Sequence, residues 1–87
     1  MLMKHAKHLL IFSVFLCLTE FVFDQMNYNV VVVDKHAFET CKAGEGAFEY
    51  KSGDDKVPLK KGENYFICTR RGCCENKMKM MIVAVAR

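Results

Sequence analysis

Tryptophan is absent from the 87 residues, and proline occurs once, at Pro58. A lone proline excludes the proline-rich recognition segments that dock as extended ligands. The net charge is only +3 and no dense basic stripe is present, so the sequence is not that of a nucleic-acid binder. Long apolar runs are missing as well. Leu9–Leu18 is apolar except for Ser13, and it reaches about half of the roughly 20 residues that span a bilayer as a helix, so no permanent membrane span is expected. No Asn-x-Ser/Thr acceptor occurs, which leaves no expected N-glycosylation. No glycine-rich phosphate loop is found. Ser13 and Ser52 have no triad companions, and the adjacent Asp54 and Asp55 read as a solvated turn, so hydrolytic catalysis has no support.

What is present is a folding composition. Hydrophobic residues make up 52% and charged residues 26%, which excludes a disordered chain. The length allows one small domain, whose core is marginal without a staple. Five cysteines could supply one, although a disulfide framework wants an even count.

The first segment bears on that count. Met1–His8 carries Lys4, Lys7, His5 and His8 and no acid, and the apolar run follows directly. A basic stretch followed by a ten-residue apolar core is the pattern of a secretory signal peptide, expected to span residues 1–19 with cleavage after Thr19. The alternative is a buried strand or helix at the start of a soluble protein. Cleavage would remove Cys17 and leave Cys41, Cys68, Cys73 and Cys74 in an oxidising compartment. It would also leave a lopsided chain. Glu20–Thr69 holds six Lys against nine acids, whereas Arg70–Arg87 holds five Lys or Arg against Glu75 alone.

Residues 20–87 read as strands and turns. Asn29–Asp34 contains four consecutive valines and predicts a strand buried on both faces. Gly44 and Gly46 mark a loop, and Phe48 and Tyr50 start a short strand. Ser52–Asp55 is turn chemistry, and Val57-Pro58-Leu59 suits an edge strand. Lys60–Glu63 forms a second turn before the strand Tyr65–Cys68. Arg70–Lys77 is a loop and Lys79–Val85 a closing strand. Sustained helical periodicity is missing after residue 20, although Lys35–Cys41 could hold one turn. Short strands at this spacing predict an all-β sandwich or barrel.

The C-terminal loop carries the chemistry. Cys68 ends a strand, Cys73 and Cys74 follow on the loop, and Met78 comes after them. A thiolate at a strand end, ligands on the next loop and a weak thioether further along is how blue-copper sites are assembled. In these residues the sequence resembles the phytocyanins, the secreted cupredoxins of plants, and is most similar to their basic blue, or plantacyanin, branch. The resemblance runs over about Phe21–Val85. It is carried by Asn29–Val33, Phe38, Cys41, Tyr50–Gly53, Lys61-Gly62, Tyr65–Cys68, Gly72, Cys74 and Met78-Lys79.

The resemblance implies a cupredoxin-like Greek-key β-sandwich in a partial domain over 20–87, incomplete at its N-terminus. In that family a further stretch of mature chain precedes the strand that Phe21–Met26 resembles; a degenerate gene copy or an incomplete gene model would account for its loss. Leu9–Leu18, if retained, could fill part of the gap as a strand. The resemblance also implies that Cys68 matches the copper thiolate, Met78 the axial ligand, and Cys41 and Cys74 the structural disulfide. Both imidazole positions are altered. Tyr28 stands at the first and Cys73 at the second; Arg71 replaces a proline and Lys77 a glycine.

Cys68, Cys73 and Met78 would form a soft set that prefers Cu(I), or Zn with a further ligand. Alternatively, Cys68 and Cys73 oxidise to a second disulfide, or Cys68 is a buried free thiol. Tyr28 is a poor substitute for imidazole and reads as a packing residue. His36 reads as a solvated loop histidine. Arg70, Arg71, Lys77 and Lys79 could steer an acidic redox or cell-wall partner, or form a solvated basic rim. The functions in view are therefore electron transfer at an altered copper site, a copper-free extracellular interaction module of the early nodulin-like type, and a non-functional fragment. None is an enzyme. With no apolar tail after a spacer, a GPI-type anchor is not expected.

Overall fold

The computed structural model describes the backbone of residues 3–11 and 16–85, with side chains described from Leu18 to Val85. Readings that concern Ser13 and the side chains of His5, His8 and Cys17 lie outside the described residues. Seven strands and one short helix follow in order: β1 (Met3–Ile11), β2 (Leu16–Phe23), β3 (Val30–Val33), α1 (Lys35–Thr40), β4 (Phe48–Tyr50), β5 (Asp54–Leu59), β6 (Gly62–Ile67) and β7 (Lys79–Ala84). They form two antiparallel sheets, ordered β1-β2-β5 and β4-β3-β6-β7, and the chain crosses between them after β2, β4 and β5.

The two sheets share one core of Phe21 and Phe23 from β2, Val30 from β3, Val57 and Leu59 from β5, Phe66 from β6, and Ile82 and Ala84 from β7. Strand alternation explains the selection, since successive side chains point to opposite faces. In β7, Ile82 and Ala84 are buried while Met81 and Val83 are exposed. β3 breaks the alternation because both its faces are covered: Val30 enters the central core, and Val31 lies in a second cluster with Ile67 and Cys74, packed by Phe38 of α1.

The valine run, the Phe48–Tyr50 strand, the helical turn and the closing strand match expectation. Four boundaries differ. β5 starts at Asp54 rather than after the turn, because Asp54 and Asp55 pair with Val22 and Phe21. The preceding bend is held by Gly53, whose φ of 92° favours glycine and whose added Cβ would lie 3.0 Å from the Phe23 carbonyl oxygen. β6 begins at Gly62, which pairs with Ala84, and ends at Ile67, one residue short of Cys68. β2 extends back to Leu16, so residues Leu16–Thr19 pair with β1 and Cys17–Thr19 also with β5. Leu9–Leu18 is accordingly not one strand; its two ends belong to β1 and β2. The expected cut after Thr19 falls within β2. Pro58 sits on β5, the edge of its sheet among the described residues and the place where strands tolerate proline.

Candidate metal centre

The loop after β6 is shaped by its backbone. The Met78 N–H donates to the Cys73 carbonyl at 3.1 Å and the Lys77 N–H to the Cys74 carbonyl at 2.8 Å. These two bonds are the Schellman pattern that closes a helical turn, and it requires a left-handed residue next to last. Lys77 holds that place at φ 68°. The Cys68 N–H then donates to the Met78 carbonyl at 3.0 Å, which fastens the end of the loop to the end of β6.

This closure gathers Cys68, Cys73 and Met78 into one buried cluster, 0%, 7% and 8% exposed, with half-buried Tyr28 packed against it. Four residues read from the sequence as the altered ligand set thus converge. Their chemistry differs from a blue-copper set. Cys68 is bonded to Cys73, so in this state neither offers a thiolate. Tyr28 offers a phenol instead of an imidazole, and Met78 alone keeps its expected donor atom. His36 lies exposed in the first turn of α1. Among the described residues, no group of three or more His, Cys, Asp or Glu is placed to hold a metal ion. The donors present do not fit blue copper.

Cys41 and Cys74 form the other disulfide, with Cα atoms 5.7 Å apart. Local structure prepares it. The Asp34 carboxylate caps α1 by accepting from the Ala37 N–H at 2.8 Å. Cys41 ends the helix in the left-handed region at φ 60°. It lies against Val31, Ile67 and Cys74 beneath α1.

Asn29, a polar residue at the start of the valine strand in the sequence, is a positioning residue in the structure. It is 1% exposed. Its side-chain amide donates to Glu49 at 2.6 Å and to Thr69 Oγ1 at 2.8 Å, and its Oδ1 accepts from the Thr69 N–H at 2.8 Å. The residue after Cys68 is thereby tied to the start of β3 and to β4. A polar residue directly ahead of four valines was the available signal.

The four basic residues do not act alike. Arg70, Arg71 and Lys77 are exposed. Lys79 is half-buried, donates to the Phe38 carbonyl at 2.8 Å and lies 4.6 Å from the centre of the Phe38 ring. Its charge is engaged in holding α1 on the sheet. Glu39 and Glu75 line the same open groove as Lys77 and Lys79, so the surface there is of mixed sign.

Comparisons with known proteins agree with this architecture. A family model described as the plastocyanin-like domain matches residues 12–78. That match begins ahead of β2, so Leu16–Thr19 lies inside it. The chain is 42% identical over 65 residues to the basic blue protein of Cucumis sativus, covering 75% of this chain and 68% of that protein. It is 47% identical over 68 residues to early nodulin-like protein 22 of Arabidopsis thaliana, covering 77% and 49%. The chain spans about half the length of two Arabidopsis thaliana relatives, early nodulin-like protein 22 and a basic blue protein. Among solved structures, cucumber basic protein, a blue copper protein, superposes with a TM-score of 0.73 at 41% identity, over 76% of this chain and 69% of that one. Spinach plantacyanin does so at 0.72 and 40%, over 75% and 71%. With this sandwich, this loop closure and these relatives, the chain belongs to the plastocyanin-like family of cupredoxins, as a phytocyanin.

Proposed function

We propose that this chain is an extracellular phytocyanin module that holds no blue copper in its oxidised state. The observation that carries the reading is the Cys68–Cys73 bond. It uses up the family's thiolate and occupies the place of an imidazole. Tyr28, at the other imidazole position, is a packing residue of the same cluster. Without the donor set, the electron-transfer role of the blue copper relatives does not extend to the oxidised chain, and an interaction role does.

Secretion is supported by the basic and apolar pattern of Met1–Leu18 and by the two disulfides, which persist in oxidising compartments. No helix among the described residues is long and apolar enough to cross a membrane. Arg70, Arg71 and Lys77 are the exposed cations that would meet an acidic partner, with Glu75 setting a limit on its approach.

The test is a Cu(II) titration of the air-oxidised full chain. We expect no intense thiolate-to-copper absorption, with Cys41, Cys68, Cys73 and Cys74 all unreactive in a thiol assay. Strong visible absorption from the unsubstituted chain would return it to the electron carriers. The double variant Tyr28→His, Cys73→His frees the Cys68 thiol and restores two imidazoles, and it is expected to gain that absorption.

A further inference from the structure

Among the described residues each sheet has two open edges, β1 and β5 on one and β4 and β7 on the other. An open edge is a row of unpaired N–H and C=O groups, and folded chains blunt it with charge, proline or shortness. Three of these edges are blunted in that way. β1 carries Lys4, His5, Lys7 and His8. β5 carries Asp54, Asp55, Lys56 and Pro58. β4 is three residues long with Glu49 at its centre. β7 is the exception. From Met80 to Val85 it has no charge, proline or glycine. Met81, Val83 and Val85 are 43%, 55% and 74% exposed. Lys79, at the start of the strand, does not guard the edge, because its ammonium is drawn to the Phe38 carbonyl.

The register shows which backbone groups of β7 are unpaired. The Cys68 N–H donates to the Met78 carbonyl, and from there the β6–β7 pairs run without a shift, from Ile67 with Lys79 to Gly62 with Ala84. Bonded and unbonded pairs alternate along an antiparallel ladder. Met80, Ile82 and Ala84 therefore bond to β6, while Lys79, Met81 and Val83 aim their N–H and C=O groups at the open edge. We propose that this edge is the contact of a symmetric dimer, in which the β7 strands of two copies join antiparallel about a two-fold axis at Ile82. Met81 then faces Val83 of the second copy and Lys79 faces its Val85, and each such pair exchanges two backbone hydrogen bonds. This register engages the whole of Lys79–Val85, sets no charge opposite another and keeps the two lysines at opposite ends. A second copy suits the edge better than a free peptide. Its strand is already formed, held by β6 and by Ile82 and Ala84 in the core, whereas a peptide would lose its freedom on binding. The contact uses β7 on both copies, so assembly closes at two. Seven residues at ~3.4 Å each give an edge of only about 24 Å, so the dimer is weak and reversible. The proposal stands apart from the copper-free reading of the oxidised chain, which the Cu(II) titration tests by itself.

Sedimentation equilibrium of the full chain is expected to show a mass that rises with concentration from 10.0 kDa toward a plateau at twice that value. Val83→Lys and Met81→Glu each put a charge on the exposed side of the edge, away from the core, and circular dichroism verifies that both fold. Each alone should weaken the dimer at least about tenfold. An equimolar mixture of the two sets an acid opposite a base across the axis and should regain the dimer, less so at high salt. Amide exchange on the unsubstituted chain gives a reading that needs no variant. The Met81 and Val83 amides should gain protection as the concentration rises, while the Ile82 amide is protected throughout. A mass that stays at 10.0 kDa up to about 1 mM would overturn the proposal, as would growth beyond two copies. So would undiminished association of either variant, a mixture no tighter than its parts, or exchange at Met81 and Val83 that ignores concentration.

Discussion

Lys77 closes the loop turn at φ 68°, in the left-handed region that a side chain with a Cβ adopts at a cost and glycine does not. Lys77→Gly should therefore raise stability by about 0.5–1 kcal/mol, the relief at the left-handed position less the greater freedom of an unfolded glycine. Lys42→Gly is the matched control, because Lys42 is not among the residues with positive φ, and there the same exchange should be neutral or destabilising. Denaturant midpoints of the two variants check this, and a matching loss in both would show that the turn does not constrain Lys77. Tyr65 offers a second test. Its hydroxyl donates to Glu63, and that bond first, then partial desolvation and the charges of Glu63 and Glu39, pushes the phenol up from 10.0 to about 12. The fold therefore favours the neutral phenol. This contribution is present in full below the ordinary value of 10.0 and is lost as the pH rises through about 12. Glu63→Gln should bring the phenolate absorption of Tyr65 back toward 10.0 in a spectrophotometric titration; an unmoved curve would mean the bond is not made. Lys77 could be singled out from sequence because a glycine was expected there. Asn29 shows in the sequence only as a polar residue ahead of four valines; its role does not, since its partners Glu49 and Thr69 lie 20 and 40 positions away and meet it only once β3, β4 and β6 are paired.

β2 is the element where sequence and structure part, and the cause is chemical. Leucine, phenylalanine and valine make the core of a signal segment and the middle of a buried strand equally well, and a run of this length does not separate the two. In the full chain the segment pairs with partners the sequence does not display. Thr19 is fully buried opposite Val57, and Cys17 and Leu18 pair with Leu59 and Pro58. β3 and β7 were legible because each carries its own evidence: four consecutive valines in one, an unbroken apolar run from Met80 to Val85 after a loop in the other. Removing residues 1–19 deletes β1, the first half of β2 and three β2–β5 residue pairs, leaving Glu20, Phe21 and Val22 to pair with Lys56, Asp55 and Asp54. Residues 20–87 should therefore unfold below the full chain, by at least about 4 °C, the shift that accompanies about 1 kcal/mol in a domain of this size. Thermal unfolding of both forms, followed by circular dichroism, checks the prediction. Equal midpoints would mean that β1 and Leu16–Thr19 contribute nothing to the folded domain.

A sandwich this small depends on its cross-links, and the two disulfides contribute unequally. Cys41–Cys74 spans 33 residues and joins the end of α1 to the loop beyond β6. Cys68–Cys73 spans only five, within a loop that backbone hydrogen bonds already close. In the chain-entropy model the longer loop is worth roughly 3–4 kcal/mol and the shorter one roughly 2 kcal/mol. The longer bond thus accounts for most of the ~5 kcal/mol at the lower end of domain stabilities. It also leaves the shorter one free to change state with less effect on the fold. The family resemblance made the longer bond legible. The shorter one stayed open as one of three fates for Cys68 and Cys73, because spacing alone does not say whether two thiols meet a metal or each other. The double variant Cys41→Ala, Cys74→Ala should lose about 3–4 kcal/mol in denaturant unfolding while Cys68–Cys73 stays bonded. A loss under about 1 kcal/mol would move the staple elsewhere, to the β1–β2–β5 sheet. In that case the loop's backbone bonds alone would have to hold Cys68, Cys73 and Met78 in place, and the domain would tolerate full reduction.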